Sequence, residues 1–292
     1  MDPTISRLTD TRCRLAESPT WDARTQRLYW CDILGRRLHA LDWASGAEQR
    51  WDMPDVISAV GLTRNPETLV AALRDQVGLL DLKTGGFETL VEIEADRPHT
   101  RLNDGKVGPD GAFWIGSMDD RPDRQPIAAL YRVTATGDCT RLVEDLMVSN
   151  GLAWSPDGRT LYHADSRPGW VDAWDFEPAT GAIANRRRFA QMTDETGRPD
   201  GGTVDADGHY WSAGVSAGVL NRFAPDGTRV ASLPLPAPRP TMPCFCGPDL
   251  DTLAITTLQP PVDPGAAPDT VSGYLYCLTP GPRGLPGYLF GA

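Results

Sequence analysis

A turn signal that recurs about every 40 to 50 residues constrains this 292-residue chain more than any other feature. Asp110-Gly111, Asp157-Gly158 and Asp207-Gly208 each stand between apolar runs, and Asn65-Pro66 and Pro248-Asp249 are weaker copies. Such dipeptides favour tight hairpin turns. Each unit holds four short strand-like runs. In the third they are Lys106 to Gly108, Ala112 to Ser117, Ala129 to Val133 and Thr140 to Val143. In the fourth they are Leu152 to Ser155, Thr160 to Asp165, Val171 to Phe176 and Arg187 to Ala190. A period of this length with four strands per unit marks a β-propeller. Units beginning near Glu17, Ser58, Asn103, Asn150, Asp200 and Met242 fill almost the whole chain. The expectation is therefore all-β: one six-bladed propeller domain over residues 1–292, with four antiparallel strands per blade. The first dozen residues should add an outer strand to the last blade, because closing the ring removes exposed sheet edges. The Pro234–Pro243 stretch reads as a rigid loop between blades, and Pro260 to Pro268 as a loop within the last one. No segment carries a helical apolar stripe.

Composition narrows the partners. The formal net charge is −11 and no basic stripe occurs, so nucleic acid is not expected. Arg186-Arg187-Arg188 reads as a solvated strand edge. No apolar run reaches the roughly 18 residues of a membrane span. The N-terminus has no apolar run behind a basic head, so a cytoplasmic protein with no membrane association is expected. In that compartment the six cysteines are reduced, and Cys244 and Cys246 share one strand face as packing residues. The chain should be a monomer or a weak homo-oligomer.

The repeat also fixes a common position. Trp21, Leu62, Val107, Trp154 and Val204 anchor the first strands of their units. Four residues before each stand Glu17, Ser58, Asn103, Asn150 and Asp200, with Met242 or Pro243 in the sixth unit. The first strand of a propeller blade lines the axial channel. Four of the six blades therefore present carboxylate or amide oxygen to one axis. Buried carboxylates cost several kcal/mol each unless paired, hydrogen-bonded or bound to a cation. Strand-start turn caps would also use Asn103, Asn150 and Asp200, but not Glu17-Ser18-Pro19. A divalent cation held by hard oxygen resolves the cost.

The segments Leu15 to Trp21, Arg101 to Lys106, Ser149 to Gly158, Pro199 to Gly202 and Arg239 to Gly247 occur in this order over most of the chain. Together they make the sequence resemble the SMP-30/gluconolactonase/regucalcin-like family. The resemblance implies one divalent cation on the propeller axis, with Glu17, Asn150 and Asp200 as its protein ligands. It implies substrate contacts from Arg101 and Asn103. Some family members carry a Glu shortly after the motif that reads Gly116-Ser117-Met118 here, where this chain continues Asp119-Asp120-Arg121. Asp119 is taken as the third substrate contact.

Many members of the family hydrolyse lactones of sugar acids, so the expected activity is metal-dependent opening of an aldonolactone to the free aldonate. Asp200 is the expected general base as well as a ligand. Asn103 would orient the lactone, Arg101 would donate to ring hydroxyls, and Asp104 would brace the loop. The ligand types favour Ca²⁺, with Zn²⁺, Mn²⁺, Mg²⁺ and Fe²⁺ as alternatives. Two other readings stay open: a hydrolase of other esters or phosphotriesters, and a non-enzymatic propeller that binds calcium or a protein. A Ser-His-Asp site is excluded, since none of His39, His99, His163 and His209 lies near a G-x-S-x-G segment.

Overall fold

The computed structural model describes residues 4–260 and 269–292, and among the described residues there is no helix. Its 24 strands form six four-stranded antiparallel sheets, a six-bladed β-propeller. Blade 1 is built from β2 (Ala16–Asp22), β3 (Arg27–Asp32), β4 (Arg37–Asp42) and β5 (Glu48–Asp52), in chain order from the axis outward. Blades 2 to 5 repeat that order. The innermost strands are β6 (Ala59–Leu62), β10 (Thr100–Val107), β14 (Ser149–Trp154), β18 (Pro199–Val204) and, in the sixth blade, β22 (Pro240–Cys246). Only the last blade is composite. There β1 (Ser6–Arg7) pairs antiparallel with β24 (Tyr276–Leu278), so the N-terminal residues close the ring as expected. Most of the expected Pro260–Pro268 loop lies outside the described residues.

Alternation along each strand explains the ring. Side chains point to opposite faces of a sheet, and both faces of every blade are buried. In blade 1, Leu28 and Trp30 pack toward blade 6, while Tyr29 and Cys31 pack toward blade 2. The described core is accordingly six apolar clusters, one between each pair of neighbouring blades. The cluster between blades 3 and 4 shows the style of packing: Trp114, Trp154 and Phe176 meet edge to face at 5.5 to 5.9 Å.

The basic run lies exposed on the outer strand of blade 4 (Ala182–Gln191), as expected, and is anchored there. Arg186 and Arg188 both donate Nε–H at 2.6 Å to Asp172, which is buried, and Arg186 lies 4.9 Å over Trp170. The six cysteines are free thiols, and Cys244 and Cys246 pack in the cluster between blades 6 and 1. Among the described residues no helix is long and apolar enough to cross a membrane.

Candidate functional site

The inner strands begin earlier than the apolar runs suggest, and the extra residues are the polar ones. Five of the six carry a one-residue bulge there. In blade 1, Glu17 pairs with Cys31 and the next paired residue, Thr20, is opposite Tyr29. Three inner residues thus face two on the neighbouring strand. Blade 4 repeats this from Asn150 to Ala153. In blades 3 and 5 the irregularity sits one residue earlier, so Asn103 and Asp200 lie inside it. Among the inner strands only β6 is regular, and at the position equivalent to Glu17 its blade offers Ser58, neither carboxylate nor amide. Bulges re-aim side chains and suspend pairing, which turns the donors toward the axis. The distortion needs special backbone. Gly151 sits at φ +68°, and a Cβ there would meet the Tyr210 hydroxyl at 2.5 Å. Ser18 adopts φ +50°, and its N–H donates to Glu17 Oε2 at 2.9 Å.

Carboxylates crowd this end of the channel. Glu17 and Asp104 are 8% and 4% exposed. Asp200 is half-buried and keeps part of its surface open. Burial, then the charges of Asp200 and Asp104, push the Glu17 carboxyl well above its usual range. Burial, then Asp104, raises Asp200 to about 8. Asp104 is raised mainly by burial; its Oδ2 accepts from the Leu152 N–H at 3.1 Å. Its Oδ1 has no partner. Bracing thus occupies one Asp104 oxygen and leaves the other to the carboxylate cluster. None of the three forms an ion pair among the described residues. The nearest ammonium, Lys106, donates at 2.7 Å to the Gly202 carbonyl. Two buried carboxylates and one half-buried carboxylate, with an orphaned oxygen on Asp104 and the Asn150 amide oxygen on the next inner strand, are hard oxygen donors of the type a divalent cation takes.

Above them runs a directed chain. Asp120 Oδ1 accepts from Arg101 Nε at 3.3 Å. Arg101 Nη1 donates to Asn103 Oδ1 at 3.0 Å. Asn103 Nδ2 donates to Asn150 Oδ1 at 3.1 Å, and Asn150 Nδ2 donates to Ser166 Oγ at 2.8 Å. This chain holds the Asn150 amide with its carbonyl oxygen toward Asn103. Asp119 stands apart from it. Its carboxylate, fully buried, accepts from Arg121 Nε and Nη2 at 2.9 and 2.8 Å and from the Arg121 N–H at 3.0 Å. Those bonds hold its carboxyl far below the usual range. Asp119 clasps its own loop, and the acid that reaches Arg101 is Asp120. Sequence reasoning left Asp120 unassigned and passed over Ser166 and the free oxygen of Asp104. The acidic pair after Met118 was the available signal for Asp120.

Two other features lie off this centre. His163, fully buried, sits 2.8 Å from Ser149 Oγ, and burial lowers it to about 3, so it packs as a neutral ring. Cys13, Asp32 and His39 bring ligand-type atoms within 4.8 Å of one another. There Asp32 already accepts the N–H groups of Arg14, Leu15 and Gly35, and burial pushes the Cys13 thiol up to about 12.

The channel's opposite end is apolar. A cavity of about 130 Å³ is lined by Trp21, Val60, Val107, Trp154 and Cys244, with Leu285–Tyr288 along its wall. Phe290 N–H donates to the Leu62 carbonyl at 2.8 Å, and Gly291 N–H to Gly111 at 2.9 Å.

Known proteins share this architecture. The family model described as SMP-30/gluconolactonase/LRE-like region matches residues 15–259. A 6-deoxy-6-sulfogluconolactonase of Pseudomonas putida is 39% identical over 247 residues, 83% of each chain. An L-arabinolactonase of Azospirillum brasilense is 35% identical, covering 82% of this chain and 80% of the relative. A solved structure described as a calcium-binding protein, regucalcin, from Agrobacterium tumefaciens superposes with TM-score 0.94 at 30% identity, over 99% of this chain and 98% of that one. The named enzymes among these relatives are lactonases, and the calcium-binding neighbour and the buried oxygen donors both point to a divalent cation.

Proposed function

The chain belongs to the SMP-30/gluconolactonase/LRE-like family, and we propose that it opens the lactone ring of a sugar acid with a divalent cation held by Glu17, Asn150 and Asp200. One observation carries the reading. Buried carboxylates without an ion-pair partner face the axis beneath a guanidinium–amide chain. A divalent cation bound there supplies Lewis acidity toward a carbonyl or a water. The donor set is all oxygen, which favours Ca²⁺ over a thiolate-type zinc site.

The remaining work falls to side chains. Asp200 takes the proton of the water that adds to the ring carbonyl, using the part of its surface open to the channel. It returns that proton to the ring oxygen as the C–O bond breaks, leaving a new hydroxyl and an aldonic acid that releases its remaining proton to solvent as the free aldonate. Asn103 keeps Asn150 oriented and borders the place of the lactone. Arg101 is almost fully buried, and its Nη2 has no partner among the described residues, so it donates to a substrate oxygen. Asp120, in place of Asp119, accepts from a ring hydroxyl.

The test is a pH-stat panel of aldonolactones, with an aryl ester and a phosphotriester alongside, after EDTA treatment and with single cations restored. Lactone hydrolysis should vanish with EDTA and return with the cation. Equal rates before and after EDTA would overturn the metal role. No lactone turnover with any cation would overturn the lactonase reading.

A further inference from the structure

The substrate-side mouth is charged unevenly. The chain carries a net charge of −11, yet Arg101 on β10 and Arg74, Arg124 and Arg167 on loops of blades 2 to 4 all reach the 119–122 segment. Asp120 is the acid set among them. It meets Arg101 Nε at 3.3 Å and Arg74 Nη1 at 3.7 Å. Arg74 also reaches Asp55 at 3.5 Å, which Arg36 shares at 3.8 Å. Arg121 is spent on Asp119. Arg124 and Arg167 form no ion pair among the described residues. Both are tied to the same loop: Arg124 Nη1 donates to the Asp119 carbonyl, and Arg167 Nη2 donates to the Pro122 carbonyl at 3.4 Å. Their charges oppose each other, and Arg124 in turn opposes Arg101. Guanidiniums gathered with too few acids repel one another, and an anion seated among them relieves that repulsion.

We infer that the lactone taken by this site carries an anionic group (a sulfonate, phosphate or carboxylate) on the end of its carbon skeleton remote from the ring carbonyl, and that Arg124 and Arg167 read it. The inference rests on the lactonase reading above. The directed chain gives it polarity. The ring carbonyl belongs at the carboxylate end, near Asp200 and Asn150. Arg101 bonds Asp120 on the same loop whose carbonyls hold Arg124 and Arg167, so a skeleton whose ring meets Arg101 would have its far end turned toward those two guanidiniums. A neutral sugar lactone would leave both guanidiniums unanswered. Arg124 and Arg167 set specificity and take no part in bond breaking.

The experiment compares kcat/KM of the cation-loaded protein on glucono-δ-lactone, 6-phosphogluconolactone, 6-deoxy-6-sulfogluconolactone and a lactone of glucaric acid. An anionic lactone should be preferred by about tenfold or more, the scale of one charge-assisted hydrogen bond. Raising NaCl to about 0.5 M should shrink that preference, because screening weakens it. Arg124→Gln and the more exposed Arg167→Gln should each cut the anionic-over-neutral ratio by about fivefold or more, mainly through KM. The three anionic probes separate the sources of charge. The proposal is overturned if glucono-δ-lactone is preferred, or if both variants leave the ratio unchanged; the lactonase reading survives either result. Turnover of none of the four overturns both.

Discussion

The two ends of the axial channel are built from the same six strands and behave as opposites. At one end the strands bulge, pairing lapses, and Glu17, Asn103, Asn150 and Asp200 turn inward. At the other the ladders run regularly and present Trp21, Val107 and Trp154 to a cavity that C-terminal residues also line. The first end concentrates unpaired charge, and the second buries apolar surface. Function and stability are therefore separable along one axis, with Lys106 near their boundary: it lines the apolar cavity, while its ammonium feels Asp104 and Glu17.

The largest effect that would sharpen this contrast is on turnover. Asp200→Ala removes both a ligand and the proposed base, so lactone hydrolysis should fall by about a thousandfold or more while the fold persists. Residual turnover within tenfold of the parent would break the assignment.

Next comes a stability change confined to the apolar end. Phe290 is 5% exposed and packs between blades 2 and 3. Phe290→Ala should cost about 3 to 5 kcal/mol in denaturant unfolding. Cation affinity, read by calorimetry, should not move. A matching loss of affinity would mean that the two ends are coupled.

The third prediction concerns pH. Glu17 and Asp200 have folded-state values above their ordinary ones, so the folded chain holds protons that the unfolded chain releases. Stability of the cation-free protein should be fully present below about pH 4 as far as these groups are concerned. It should decline as pH rises toward 8, by up to about 1.4 kcal/mol per pH unit for each proton involved. Saturating cation should flatten the slope, and Asp200→Asn should reduce it. A cation-free stability that rises over this window would contradict the crowding of carboxylates.

The smallest effect belongs to the boundary. Lys106→Met deletes an ammonium that repels a cation held by Glu17 and Asp200, so binding should tighten by about threefold. Weaker binding would show that Lys106 supports the site through its bond to Gly202 rather than opposing it.

Much of this was legible beforehand, for a physical reason. A propeller repeats one local solution, so the turn dipeptides and the four-residue offset to Trp21, Val107, Trp154 and Val204 expose both the fold and the ring of donors. The N-terminal contribution to the last blade followed from the need to remove sheet edges. The illegible parts are those where neighbours in sequence diverge in space. Asp119 and Asp120 are adjacent acids. The first turns into its own loop toward Arg121, and the second turns out to Arg101. No local pattern distinguishes them, because the distinction depends on a loop closing over one carboxylate. The bulges were equally hidden, since a one-residue offset appears only when two strands are laid side by side. Arg124 and Arg167, 43 positions apart in sequence, are tied to the same loop.

By itself, then, the sequence determined the period, the six blades and the oxygen donors at their inner starts. Hydrophobic alternation and turn chemistry are local, and they recur. The tertiary structure alone decided which carboxylates feel one another's charge, which acid faces Arg101, and where the C-terminal residues dock at the far end. Those depend on distances between residues far apart in the chain, and only packing brings them together.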